Sequence, residues 1–145
     1  DSASYQYIVV PDVSEQELIE TSSNNRGIDI LSNNSDVHAV KNSKLGISQI
    51  AFYKASEVKI SDGLTIRMSS PGMAMLKVRN GKAYELTVAD PARNLSRVMV
   101  TLSGRYEVKG DHQISLSETD GVSTLIIIDL PQGVYAGKSI TIGLN

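Results

Sequence analysis

An antiparallel, all-β sandwich with one short N-terminal helix is the fold this sequence predicts, on three observations. Apolar residues recur at every second position in run after run, the signature of strands with one buried face. The runs are separated by residues that preset a turn or tolerate positive φ. At 145 residues the chain is long enough for one core between two packed sheets.

The helix comes first. In Ser14-Glu15-Gln16-Glu17-Leu18-Ile19-Glu20 a Ser stands three residues before a Glu, so each side chain can satisfy a free N–H of the other. Glu15 and Glu17 also lie where the positive end of the helix dipole favours them. Asn24-Asn25-Arg26-Gly27 then supplies a stop. Beyond it, roughly ten strand-like segments fit before Asn145. Val98, Val100 and Leu102 point one way while Met99, Thr101 and Ser103 point the other. Ile114 and Leu116 alternate with Ser115 and Ser117, and Ile140, Ile142 and Leu144 repeat the scheme. Turns are expected at Ser61-Asp62-Gly63, Pro71-Gly72, Asn80-Gly81, Gly110-Asp111 and Asp120-Gly121. Asn80-Gly81 is the strongest hairpin signal, joining a strand near Met73–Val78 to one near Lys82–Ala89.

Composition removes several classes of function. A formal charge of −2, with Lys and Arg scattered along the chain, gives no footprint for a phosphate backbone, so nucleic acid is not an expected partner. The chain has no Cys, which removes disulfides, thiol catalysis and zinc–thiolate sites together. Its longest apolar run, Leu125-Ile126-Ile127-Ile128, is stopped by Asp129, far short of the ~20 residues that span a bilayer. Asp1-Ser2-Ala3-Ser4 carries no basic segment followed by an apolar one, so a signal peptide is not expected there.

The residues that carry chemistry are sparse. His38 and His112 are far apart, and alternation places His38 on the polar face, opposite Val37 and Ala39. No Gly-x-Ser-x-Gly elbow accompanies them. Glu57, Asp62, Glu85 and Asp90 would supply paired carboxylates, but among 16 acids pairs arise without purpose. Asp36, Asp62, Asp90, Asp111 and Asp120 stand at turns, where Asp bonds its own backbone. The glycines are dispersed and form neither a phosphate loop nor a dinucleotide fingerprint, so no nucleotide cofactor is expected, and no residue is assigned to a metal.

Sugar recognition on a sandwich uses exposed aromatic faces beside polar groups. Of Phe52 and Tyr53, adjacent in one strand, one faces inward, which leaves Tyr53 as the better surface candidate. With Lys54, Tyr84, Arg105, Tyr106 and the neighbouring Lys82, it completes the set of candidate carbohydrate contacts.

The order of certain phrases resembles a known family. Tyr5-Gln6-Tyr7-Ile8-Val9-Val10-Pro11 with the capped helix is similar to the end of the central β-sandwich domain of polysaccharide lyase family 8, the hyaluronate, chondroitin and xanthan lyases. Ile28-Asp29-Ile30-Leu31-Ser32-Asn33-Asn34-Ser35-Asp36-Val37-His38-Ala39-Val40 resembles the opening of that family's C-terminal β-domain. Ile50-Ala51-Phe52-Tyr53 resembles its asparagine-phenylalanine-tryptophan phrase, with Ala51 and Tyr53 departing from it. Tyr84-Glu85-Leu86-Thr87-Val88-Ala89-Asp90-Pro91-Ala92 is similar to its Asp-Pro-Thr phrase, with Ala92 in place of the threonine.

The resemblance implies that residues 1–27 are a remnant of the central domain and 28–145 the C-terminal sandwich. It implies a parent that cleaves acidic polysaccharides of the chondroitin and hyaluronan class by β-elimination, with catalytic residues in an N-terminal α/α-toroid. That chemistry needs a base for the C5 proton, an acid for the leaving oxygen and a cation for the uronate carboxylate. No residue here matches those motifs, so no catalytic residue is assigned. The implied partners are the parent's other domains and acidic polysaccharide, and the implied location is extracellular or periplasmic. Two other readings stay open: an autonomous carbohydrate-binding module, and a structural or adhesion sandwich unrelated to lyases.

Overall fold

The structure, a computed structural model, describes residue 5 and residues 7–23, 27–109 and 114–145. Helix α1 (Glu15–Ser23) begins as its capping residues dictate: Ser14 N–H donates to Glu17 Oε2 at 2.8 Å and Glu17 N–H donates to Ser14 Oγ at 3.3 Å. Only Thr21 of this helix is buried, while Leu18 and Ile19 are exposed. The stop at residues 24–26 lies outside the described residues, and Gly27 follows at φ 79°.

Twelve strands follow among the described residues: β1 (Ile28–Asn33), β2 (Val37–Asn42), β3 (Ile47–Phe52), β4 (Ser56–Ser61), β5 (Leu64–Met68), β6 (Gly72–Arg79), β7 (Lys82–Ala89), β8 (Arg97–Ser103), β9 (Val108–Lys109), β10 (Ile114–Thr119), β11 (Ser123–Asp129) and β12 (Ile140–Leu144). This is more than the sequence indicates, partly because β9 has 2 residues and carries no period to read. The strands form a seven-stranded sheet, β1-β2-β3-β6-β7-β12-β9, and a five-stranded sheet, β10-β11-β8-β5-β4, with every pairing antiparallel.

The core lies between the sheets. Ile50, Phe52, Leu76, Leu86, Val88 and Ile142 of the larger sheet are buried, as are Ile66, Met68, Val100, Leu102, Ile126 and Ile128 of the smaller. The alternation is as expected: Val98, Val100 and Leu102 are buried, and so are Ile140, Ile142 and Leu144. Asp62-Gly63 and Asp120-Gly121 fall between paired strands, whereas Gly110-Asp111 lies outside the described residues.

The β6–β7 hairpin turns at Asn80 (φ 52°) and Gly81 (φ 77°). Two successive positive φ values are what a type I′ turn demands, and Asn-Gly supplies them with the least strain. Two residues behind the turn the register shifts, from Val78↔Ala83 to Lys77↔Glu85. Tyr84 is the extra residue of this bulge, which re-aims its side chain.

Candidate functional site

The outer face of the seven-stranded sheet carries an aromatic ring beside a cation at each end. At one end β2 and β3 bring His38 opposite Ala51, and the chain leaves β3 through Tyr53 and Lys54. Phe52 is 2% exposed and Tyr53 52%, so the adjacent aromatics divide between core and surface as alternation requires. Tyr53 N–H (2.9 Å) and Lys54 N–H (3.2 Å) both donate to the Asp36 carbonyl, fixing the exit from β3 on the β1–β2 turn. The Tyr53 hydroxyl lies 3.3 Å from His38 Nδ1, and the rings meet edge to face at 5.0 Å.

The charge at this end is already matched. Lys54 Nζ donates to Asp36 Oδ1 at 2.7 Å. This bond, with a further one from the Ser35 hydroxyl, holds the Asp36 carboxyl below its ordinary value. At the same end of the sheet, Asp90 follows the last residue of β7 and is 5% exposed. Burial pushes its carboxyl up, but backbone N–H donors outweigh that and hold it below the ordinary range. Leu95 (2.7 Å), Asn94 (2.6 Å) and Ala92 (3.0 Å) supply those bonds to the carboxylate, so Asp90 builds the loop before β8 and presents no free oxygen for an acid or base role.

The opposite end, roughly 20 Å away along β6, is the turn end of the β6–β7 hairpin. Here Arg79 faces Lys82 across the turn. The Arg79 guanidinium carbon sits 4.9 Å from the Tyr84 ring centroid, a cation–π contact made possible by the bulge. In the next row Lys77 and Glu85 pair at 2.8 Å, and that hydrogen bond raises the Lys77 pKa. Among the described residues no carboxylate lies within ion-pair distance of Arg79, Lys82 or Arg105.

Of the six candidate sugar contacts, Tyr53, Lys54, Lys82 and Arg105 are exposed and Tyr84 is half-buried. Tyr106 belongs to the core. It is 8% exposed, its hydroxyl accepts from Ala83 N–H at 3.4 Å, and its N–H donates to the buried Thr124 Oγ1 at 3.0 Å. It lies in a loop that crosses between the sheets, where no alternation exists to indicate its direction, and it offers no ring face to a sugar. Arg79, which the sequence does not mark as a candidate, joins Tyr84 and Lys82 here.

His38 stands on the exposed face as expected, and His112 lies outside the described residues. Asp120 accepts from the N–H groups of Ser123 (2.6 Å) and Val122 (2.8 Å), which hold its carboxyl low, and Asp62 pairs with Lys59 at 2.7 Å. Among the described residues no group of three or more His, Cys, Asp or Glu could hold a metal ion, and no helix is long and apolar enough to cross a membrane. Two open depressions, ≈ 510 and ≈ 390 Å³, lie where residues 7–11 and Thr21 meet β1, and Lys44 lines the smaller.

Comparison with known proteins agrees with this architecture. The model of the polysaccharide lyase family 8 C-terminal beta-sandwich domain matches residues 29–99. A hyaluronate lyase of Thermasporomyces composti is 32% identical over 99 residues, which is 68% of this chain but 12% of that protein. Among solved structures, a Paenibacillus xanthan lyase superimposes with a TM-score of 0.76 at 18% identity, over 93% of this chain and 12% of the lyase. The Streptomyces coelicolor A3 chondroitin AC lyase, solved with chondroitin sulphate, gives 0.69 at 16% identity, over 92% of this chain and 17% of that one. The chain thus spans less than a fifth of each of these relatives. With four phrases in the family's order, a matching domain model and the same fold as the solved lyases, residues 29–99 carry the C-terminal β-sandwich domain of polysaccharide lyase family 8.

Proposed function

We propose that this chain is the non-catalytic C-terminal sandwich of a larger lyase that cleaves acidic polysaccharide of the chondroitin or hyaluronan class by β-elimination. Its share of its relatives carries the reading: 12% of a hyaluronate lyase leaves most of that protein to hold the chemistry. The carboxylates of Asp36, Asp62, Asp90 and Asp120 are engaged in ion pairs or backbone bonds, which fits a scaffold better than an acid–base site. The chain's work is then to support the catalytic part and to touch polymer at its surface.

Residues 1–27 are read as the tail of the preceding sheet domain, with the seam at β1. Tyr5 (82%), Tyr7 (79%), Ile8 (50%) and Val9 (76%) are all exposed, as in an apolar segment without its packing partner. An extracellular or periplasmic location follows from the polymer substrate.

The test is direct. The isolated chain mixed with chondroitin or hyaluronan should give no rise in the ultraviolet absorbance of unsaturated uronides, while the longer lyase containing it should. Turnover by the isolated chain would overturn the reading.

A further inference from the structure

Resting on the reading of this chain as part of an acidic-polysaccharide lyase, we propose that the turn end of the β6–β7 hairpin is a binding site for the oxyanions of that polymer. Arg79 and Lys82 supply the charge, and Tyr84 positions Arg79.

Three observations carry it. The first is preorganisation. A type I′ turn at Asn80-Gly81 holds Arg79 and Lys82 as cross-strand partners, which places their Cα atoms roughly 5 Å apart. Two cations held this close repel one another unless an anion lies between or above them. The second is the stacking of Arg79 on Tyr84 at 4.9 Å. A guanidinium lying on a ring keeps its N–H fork free at the edge, where it matches a carboxylate or sulfate with two parallel bonds. Tyr84 can take this place because the bulge at Val78 leaves it unpaired in the ladder. The third is the local charge balance. The nearest acid in the hairpin, Glu85, is engaged by Lys77 at 2.8 Å, and no described carboxylate pairs with Arg79 or Lys82. Arg105 lies at the same end of the sandwich, since the Tyr106 hydroxyl reaches the N–H of Ala83, the residue after Lys82. It extends the positive surface for a linear polymer.

The role of Tyr84 differs from a sugar-stacking platform. Arg79 covers one face of its ring, so Tyr84 is a positioning residue and Arg79 makes the contact. Lys54, at the other end of the sheet, has its charge matched by Asp36 at 2.7 Å and serves as the internal control.

Labelled chondroitin sulfate and hyaluronan, which separate sulfate plus carboxylate from carboxylate alone, are titrated against the 145-residue chain. Polyglutamate of matched charge is the comparison. Saturable binding of at least one glycan is expected, weakened about tenfold by Arg79→Ala with Lys82→Ala. Tyr84→Ala should lose part of that and Tyr84→Phe should retain it, because the ring is kept. Lys54→Ala should bind as the parent does. Unchanged thermal midpoints show that each variant is folded. No saturable glycan binding, equal affinity in the double variant, or equal affinity for polyglutamate overturns the proposal. None of these outcomes bears on the uronide absorbance of the longer lyase, so failure here is distinct from failure of the lyase reading.

Discussion

The two ends of the seven-stranded sheet are built from the same kinds of residue and differ in how their charges are matched. At the β2–β3 end, Tyr53 and Lys54 meet His38 and Asp36, and the lysine ammonium lies 2.7 Å from a carboxylate. At the hairpin end, Tyr84 meets Arg79, which faces Lys82, and among the described residues no carboxylate pairs with either cation. By composition each is an aromatic with a cation beside it. A matched ion pair on the surface has little left to offer a polyanion, because binding must first break or share it, whereas an unmatched guanidinium held on a ring has already met its ordering cost. Charge balance, and not residue type, separates this corner from the proposed binding surface.

This comparison is open to direct test, beginning with the largest effect. If the end of the sheet that holds Tyr53 and Lys54 is structural, the buried carboxylate at the β7 exit on that same end should matter for stability. Asp90→Ala leaves three backbone N–H groups of the loop before β8 without their buried acceptor and should lower unfolding stability by about 2 kcal/mol in denaturant titration. The same site sets an acid limb. The folded-state pKa of Asp90 is held below its unfolded value, so its contribution is present in full above the ordinary carboxylate range and is lost as pH falls through the depressed value. Asp90→Asn should flatten the acid side of the stability–pH profile, and an unchanged profile would show that other carboxylates set it.

At the hairpin end the expectation is reversed. Arg79→Ala and Lys82→Ala should leave stability within about 0.5 kcal/mol, since both side chains are exposed, and should alter binding instead. Gly81→Ala puts a Cβ on a residue at φ 77° with open space around it. Its cost is one of backbone conformation, about 1 kcal/mol, read as a lowered thermal midpoint together with weaker glycan binding as the Arg79–Lys82 register loosens. The smallest effect is the most pointed. Asp36→Ala frees Lys54, and if matched charge is what silences that end, glycan affinity should rise about threefold. A fall in affinity would show that the Asp36–Lys54 pair orders Tyr53 for a contact of its own.

Much of the fold was legible because its signals are local. Period-two alternation in Arg97–Ser103 and Ile140–Leu144, the reciprocal caps of Ser14 and Glu17, and the Asn80-Gly81 turn each depend on neighbours within a few positions. Tyr53 was found on the surface by the same logic, since Phe52 takes the core. The site was less legible. Tyr106 resembled a surface aromatic until the crossing between sheets turned its ring inward, and Arg79 had no distinguishing context until the bulge brought Tyr84 beneath it.

The sequence by itself determined an antiparallel sandwich, its capped helix, its tightest hairpin and, through the order of its phrases, its family, because alternation, turn chemistry and phrase order are properties of the chain. The tertiary structure alone decided which charges cancel. Asp36 and Lys54 are 18 positions apart and meet only because the start of β2 and the end of β3 lie side by side at one corner. Electrostatic compensation is set by distance in space, and strand pairing, not sequence separation, fixes that distance.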